Sequence, residues 1–198
     1  MGLVLLEPPA APLVSTAEAQ LHLRSENPQE SPLLDALVAA ATLQAEAFCR
    51  RRFVSQKWRL TADGFPTPCP PRWYPALQLP YPPLVSVESI QYVDPDGVTQ
   101  TMLPAEYSVR TGETPGEIVP AYGKWWPTPR DQLDAVAVEF ICGYGDPADV
   151  PEAIRRAVVL LVGTLYANRE TVAPTAMQPI PHTAEWLLGP FRVVRFAA

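Results

Sequence analysis

The amino-acid sequence predicts an α+β fold: a small helical bundle of three main helices, an inserted antiparallel β-subdomain and an extended C-terminal tail. Three observations predict it. Capped helical periodicity occurs near both ends, short β-prone runs fill the middle, and 14 of the 25 prolines fall between residues 61 and 130. Proline fixes φ and lacks an amide donor, so that stretch cannot be long helix or continuous sheet. The rest of the composition argues against disorder: 47% of residues are hydrophobic, 18% are charged, and there are five Trp, seven Tyr and six Phe. Disordered chains are poor in apolar and aromatic residues. The predicted parts are an N-terminal helical part of the core (1–57), a proline-rich β insertion (58–148), a core helix (149–170) and the extended tail (171–198).

The first helix opens at Ser15-Thr16-Ala17-Glu18, a hydroxyl followed three residues on by Glu, which is a capping box. It carries Ala19, Leu21, His22 and Leu23 and stops before Asn27-Pro28. Ser31-Pro32 opens the second, with Ser as N-cap and proline where its missing donor costs nothing. Leu34, Leu37, Val38, Ala41, Ala45 and Phe48 then recur at helical spacing on one face, to about Arg51.

The pattern changes at Trp58. Strand-prone runs are Trp58–Thr61, Val85–Val93, Val98–Leu103, Tyr107–Arg110 and Ala135–Cys142. Asp94-Pro95-Asp96-Gly97 is a hairpin turn, because proline presets φ and glycine supplies a positive φ. Val136, Val138, Phe140 and Cys142 alternate as in a half-buried strand. The phase slip between Val87 and Ile90 predicts a bulge. Asp149-Val150-Pro151-Glu152 restarts helix, with Asp149 as N-cap and Glu152 completing a capping box. From Ala157 to Tyr166 that helix is apolar on more than one face, so it needs burial on all sides. A domain this small would struggle to provide it, which makes Val158, Leu161 and Leu165 candidates for a subunit interface. Thr171–Ala198 has prolines at 174, 179, 181 and 190 and no helical period.

Charge is uneven: residues 1–60 are net neutral, 61–150 carry −8 and 151–198 carry +2. No basic stripe suits the neutralisation of nucleic-acid phosphates. Cys49, Cys69 and Cys142 lack metal-like spacing, so neither a disulfide framework nor a zinc site is expected. MGLVLLEPPAAP lacks a basic n-region, and no run approaches the roughly 18 apolar residues of a membrane span. A soluble chain made in a reducing cytoplasm is expected.

Candidate functional residues are few. The two histidines, His22 and His182, read as packing, capping or exposed residues rather than a base in a nucleophilic pair. The acidic residues of the middle, Glu106 and Asp134 among them, lie at turns, and a hydrolase using them is the weakest reading. Gly143-Tyr144-Gly145 lacks a phosphate-loop context and turns the chain into a helix. Arg50, Arg51 and Arg52 suit a helix C-terminus, or else contact with DNA or an acidic partner surface. Trp73, Tyr74, Trp125 and Trp126 are either aromatic–proline packing or the stacking face of a carbohydrate-binding module. The tail residues Trp186, Leu187, Leu188 and Phe191 cannot usefully stay in water: they fold back or insert into a neighbour. Arg192 and Arg195 beside them suit an acidic acceptor.

The order of these features resembles a known family. The stretches that carry it are Pro12–Ala19 to His22-Leu23-Arg24, the alanine-rich helix with Glu46, Arg52, Trp58-Arg59-Leu60, Leu79–Tyr92, Asp94–Gly97 and Tyr107-Ser108-Val109. Trp126-Pro127, Val138-Glu139-Phe140, Gly143-Tyr144-Gly145, Val150–Ile154 and Leu165–Glu170 complete it. In this order they resemble the head–tail connector (adaptor) proteins of long-tailed bacteriophages and prophage-derived gene transfer agents, over nearly the whole chain. The inserted Thr67–Pro75 stretch departs from the pattern. The resemblance implies a non-enzymatic structural protein of the virion neck, without cofactor, metal or membrane. It implies a ring of twelve copies between the portal protein and the stopper or other tail components, with double-stranded DNA passing through its lumen.

Overall fold

A computed structural model describes residues 1–25, 27–67, 75–168 and 182–193. The chain divides into two compact units, Met1–Ala10 with Ser55–Tyr144, and Ala11–Val54 with Gly145–Ala198. The fold is α+β, as the sequence predicts.

The first unit is built of β-strands. Its main sheet is antiparallel, ordered β1 (Gly2–Glu7), β2 (Gln56–Ala62), β8 (Val136–Cys142), β4 (Leu84–Val93) and β5 (Thr99–Thr101). A smaller sheet is ordered β3 (Leu77–Gln78), β7 (Glu117–Pro120) and β6 (Tyr107–Arg110). Strand β8 is central because its alternation is strict: Val136, Val138, Phe140 and Cys142 are buried and the residues between them are not. Their partners Leu60 and Ile90, with Leu77, Leu79, Leu84, Met102 and Ile118, complete one hydrophobic core. The predicted bulge is present as a register shift between Val87 and Ser89, and a second lies between Leu84 and Ser86. The predicted turn is also present: Gly97 has φ +88° and its N–H donates to the Asp94 carbonyl at 2.9 Å. Asp94 Oδ1 accepts the Val98 N–H at 2.8 Å. Gly116 answers a different need, since a Cβ there would meet the Leu84 side chain at 2.6 Å.

The strands β1, β3 and β7 escaped the sequence reading. β3 is two residues long, too short for a period-two signal, and β7 buries Glu117, Ile118 and Val119 in succession, so it has no alternation. β1 lies in the segment grouped with the helices, and its uninterrupted run Leu3–Leu6 has no alternation.

The second unit is helical: α1 (Thr16–Leu23), α2 (Ser31–Cys49), α3 (Glu152–Ala167) and α4 (His182–Leu188). Ser15 caps α1 as predicted, its side chain accepting the Glu18 N–H at 3.2 Å. Helix α2 buries Leu34, Val38, Ala41, Ala45, Glu46 and Cys49, and a 3-10 turn at Pro28–Glu30 takes the place of the expected Ser31 cap. Among the described residues α2 is the helix long and apolar enough, by composition alone, to cross a membrane. The sequence reading found no such run. Its alanines lift the average, while its buried face packs against α1 and α3.

Helix α3 begins at Glu152 without a side-chain cap. Asp149 does not cap it. Its Oδ2 instead accepts the Asp146 N–H at 2.9 Å, closing the preceding turn. Across the unit, Arg155 pairs with Glu18 at 3.0 Å, and the Tyr166 hydroxyl donates to Glu30 at 2.7 Å.

Candidate functional site

The expected site is the C-terminal segment. It is not extended throughout: residues 182–188 form α4, followed by a 3-10 turn at Gly189–Phe191. The seven residues before Gly189-Pro190 are too few for a helical period to show, and neighbouring prolines masked the signal. Ala184 and Leu188 are fully buried, so Leu188 belongs to the core of the helical unit rather than to a docking surface. The segment is tied to the end of α2. The Val193 N–H donates to the Cys49 carbonyl at 3.0 Å, and Arg51 Nε donates to the Phe191 carbonyl at 2.5 Å. The Arg192 guanidinium lies 5.0 Å from the Phe48 ring centre, a cation–π contact. Trp186 remains, 79% exposed, with Leu187 and Phe191 half-buried beside it. Arg195 lies outside the described residues.

The candidate interface on α3 divides. Val158 and Leu161 are buried within the protomer, at 0% and 2% exposure, and Leu165 is half-buried. The all-round apolar helix finds its cover in α1, α2 and α4. Helices of the same chain thus cover Val158 and Leu161, while Leu165 is only half covered by them.

The three arginines do not form one basic patch. Arg50 ends α2 in the left-handed region (φ 54°) and is exposed. Arg51 turns to Phe191. Arg52 Nη1 pairs with Glu46 at 2.9 Å, and Glu46 also accepts the Phe53 N–H at 2.9 Å. Burial pushes the Glu46 carboxyl above the ordinary value, against the Phe53 amide and Arg52, which pull it down. This buried clasp escaped the sequence reading, although Glu46 on an apolar helix face about one turn before an Arg run was the available signal.

Trp73 and Tyr74 lie outside the described residues. Trp126 stacks on Phe65, with ring centres 4.6 Å apart and planes 5° apart, and its Nε1 donates to the Pro75 carbonyl at 2.8 Å. It is a prop for a proline loop, with one face already occupied. Trp125 is 73% exposed. Glu106 accepts the Leu103 N–H at 3.0 Å, three residues back, and the Asp134 backbone N–H donates to the Asp63 side chain at 3.1 Å. His182 pairs with Glu185 at 3.5 Å, one turn along α4. Among the described residues no group of His, Cys, Asp or Glu is arranged to hold a metal ion.

The surface that sequence reasoning missed is β1, where Leu3, Val4 and Leu5 are 38%, 53% and 41% exposed.

No protein-family model and no curated protein matches the chain. Solved structures do. A chain in the neck of an empty GTA particle computed with C6 symmetry is 24% identical, with a TM-score of 0.80, covering 100% of this chain and 98% of that one. A chain in the virion of a native gene transfer agent (GTA) particle has 23% identity, a TM-score of 0.81 and the same coverage. A chain in the neck of a native GTA particle computed with C12 symmetry has 24% identity and a TM-score of 0.72, again over 100% of this chain and 98% of that one. The fold of this protein is therefore one found, end to end, in chains of gene transfer agent particles.

Proposed function

We propose that this chain is a structural component of the neck of a gene transfer agent or phage-type particle, and within it the head–tail adaptor. Copies form a ring of twelve between the portal protein and the stopper or tail components, and double-stranded DNA passes through the lumen without any chemistry on it. The observation that carries this reading is the agreement in fold over the whole chain with chains of GTA necks. Two features support it. The net charge of −8 over residues 61–150 offers DNA phosphates no attraction, as a conduit requires. Trp186 is 79% exposed on α4, and the same segment carries Leu187, Phe191 and Arg192; this is the aromatic and arginine chemistry of a binding hot spot, and the portal protein is its partner.

Truncating the tail would remove Ala184 and Leu188 from the helical core, so the test uses a point variant. Purified full-length chain is mixed with portal protein and the complex is weighed and imaged. A ring of twelve on the portal is expected, with binding lost in Trp186→Ala while the variant's unfolding is unchanged. Failure of the unaltered chain to associate with portal or neck would overturn the adaptor reading. Undiminished binding by Trp186→Ala would remove the tail from it.

A further inference from the structure

The main sheet has two open edges. Among the described residues no strand pairs with the outer side of β1 or of β5. Sheet edges are ordinarily protected by charge, proline or a bulge. In β1 the bulge at Leu6, Glu7 and the prolines after it guard only one end. Gly2–Leu5 carries no charge and no proline, and Leu3, Val4 and Leu5 are exposed in succession, which places apolar side chains on both faces of the strand. A strand apolar on both faces with an open edge needs cover along that edge and on both sides.

The opposite edge offers matching chemistry. In β5, Gln100 is paired with Tyr92 of β4, and the Met102 N–H donates to the Ile90 carbonyl. By alternation the amides and carbonyls of Thr99 and Thr101 face outward. A groove of about 290 Å³ runs beside β5, lined by Thr101, Leu103, Glu106, Lys124 and Trp125 among others. Leu103 and Trp125 are 65% and 73% exposed. Lys124 is its cation, and Glu7 is the charged residue of β1.

The geometry points to one occupant for both edges, a second copy of this chain: β1 of each copy adds as a strand to β5 of the next. The two surfaces lie at opposite ends of one sheet, so each copy supplies both halves of a head-to-tail contact, the kind that closes into rings. Main-chain hydrogen bonds give such a contact its strength, and the groove residues give it its register. This interface rests on the ring proposed above.

The test is disulfide trapping in rings assembled on the portal, using full-length chain with Cys69→Ser. Thr101→Cys is combined in turn with Leu3→Cys, Val4→Cys and Leu5→Cys, covering the neighbouring registers. At least one pair is expected to give a ladder of covalent oligomers on mild oxidation. Neither half alone should do so, and mixing the two single variants should stop at dimers. Val4→Lys, at a position 53% exposed, is expected to leave unfolding unchanged and weaken ring assembly about tenfold or more. Rings that form but yield no ladder, Val4→Cys dimers without a Thr101 cysteine, or full assembly by Val4→Lys would each overturn the β1–β5 contact and leave the ring standing. Absence of rings from the unaltered chain would overturn the ring itself, and this contact with it.

Discussion

Glu46 holds Arg52 at 2.9 Å, with side chains only 6% and 15% exposed, and the same carboxylate accepts the Phe53 amide. The clasp closes the turn that follows α2. A buried pair of this kind is weak evidence of net stability, yet losing one partner is costly. Glu46→Ala is expected to lower the unfolding free energy at pH 7 by about 2–4 kcal/mol, read by urea titration. Glu46→Gln keeps an acceptor and should lose less. Because burial raises this carboxyl above 4.5 in the folded state, the protonation-linked part of its contribution is full below that value and is lost as pH rises through the raised one, while its bonds to Arg52 and the Phe53 amide remain. The Gln variant should lack that decline.

Glu139 works in the opposite sense. Arg59, at 2.5 Å, and Lys57, at 3.0 Å, hold its carboxyl below the ordinary value by hydrogen bonding. Its contribution is therefore present above pH 4.5 and is lost as pH falls through the lowered value. Thermal melts of the unaltered chain and Glu139→Gln should differ at pH 7, and the difference should shrink as pH falls below 4.5 and through the lowered value. No difference between the two at pH 7 would show that these cross-strand pairs add nothing.

Leu161 and Trp186 separate core from surface in the helical unit. Leu161→Ala leaves a cavity and should cost about 2–5 kcal/mol by denaturant unfolding. Trp186→Ala should change stability by less than about 0.5 kcal/mol.

Gly116 sits where a Cβ would lie 2.6 Å from both Cβ and Cδ2 of Leu84. Gly116→Ala must displace one chain from the other, and a loss of about 1–3 kcal/mol is expected on thermal unfolding.

Burial pushes the Cys49 thiol up to about 11, and the side chain is fully covered. Thiolate is the reactive form, so native protein treated with iodoacetamide at pH 8 should show no label on Cys49 by mass spectrometry. Unfolding in urea should expose it to labelling.

Local signals were legible wherever a residue acts on its own neighbours. Ser15 caps the helix it begins, Gly97 closes the hairpin it sits in, β8 alternates because one face is core, and the slip at Val87 is a bulge. Each of these is decided within a few residues, by backbone sterics or by the period of a strand. The same reasoning failed where the partner is distant in sequence. Gly2–Glu7 looked like a featureless apolar start until Gln56–Ala62 and the strands beyond gave it a sheet to join. Leu188 and Trp186 are alike in composition terms, yet packing on α2 and α3 buries the first and leaves the second in water.

The sequence by itself thus determined the α+β class, the helices α1, α2 and α3, the β-rich middle and the division of the prolines between loops and helix starts. Helix caps, turn conformations and hydrophobic periods are written in adjacent residues. Only the tertiary structure decided which apolar residues remain uncovered. Val158 and Leu161 are consumed by four packed helices, whereas Val4 and Trp186 are not. A local period shows which residues share a face, but whether a given apolar face is covered depends on what the rest of the chain brings alongside it.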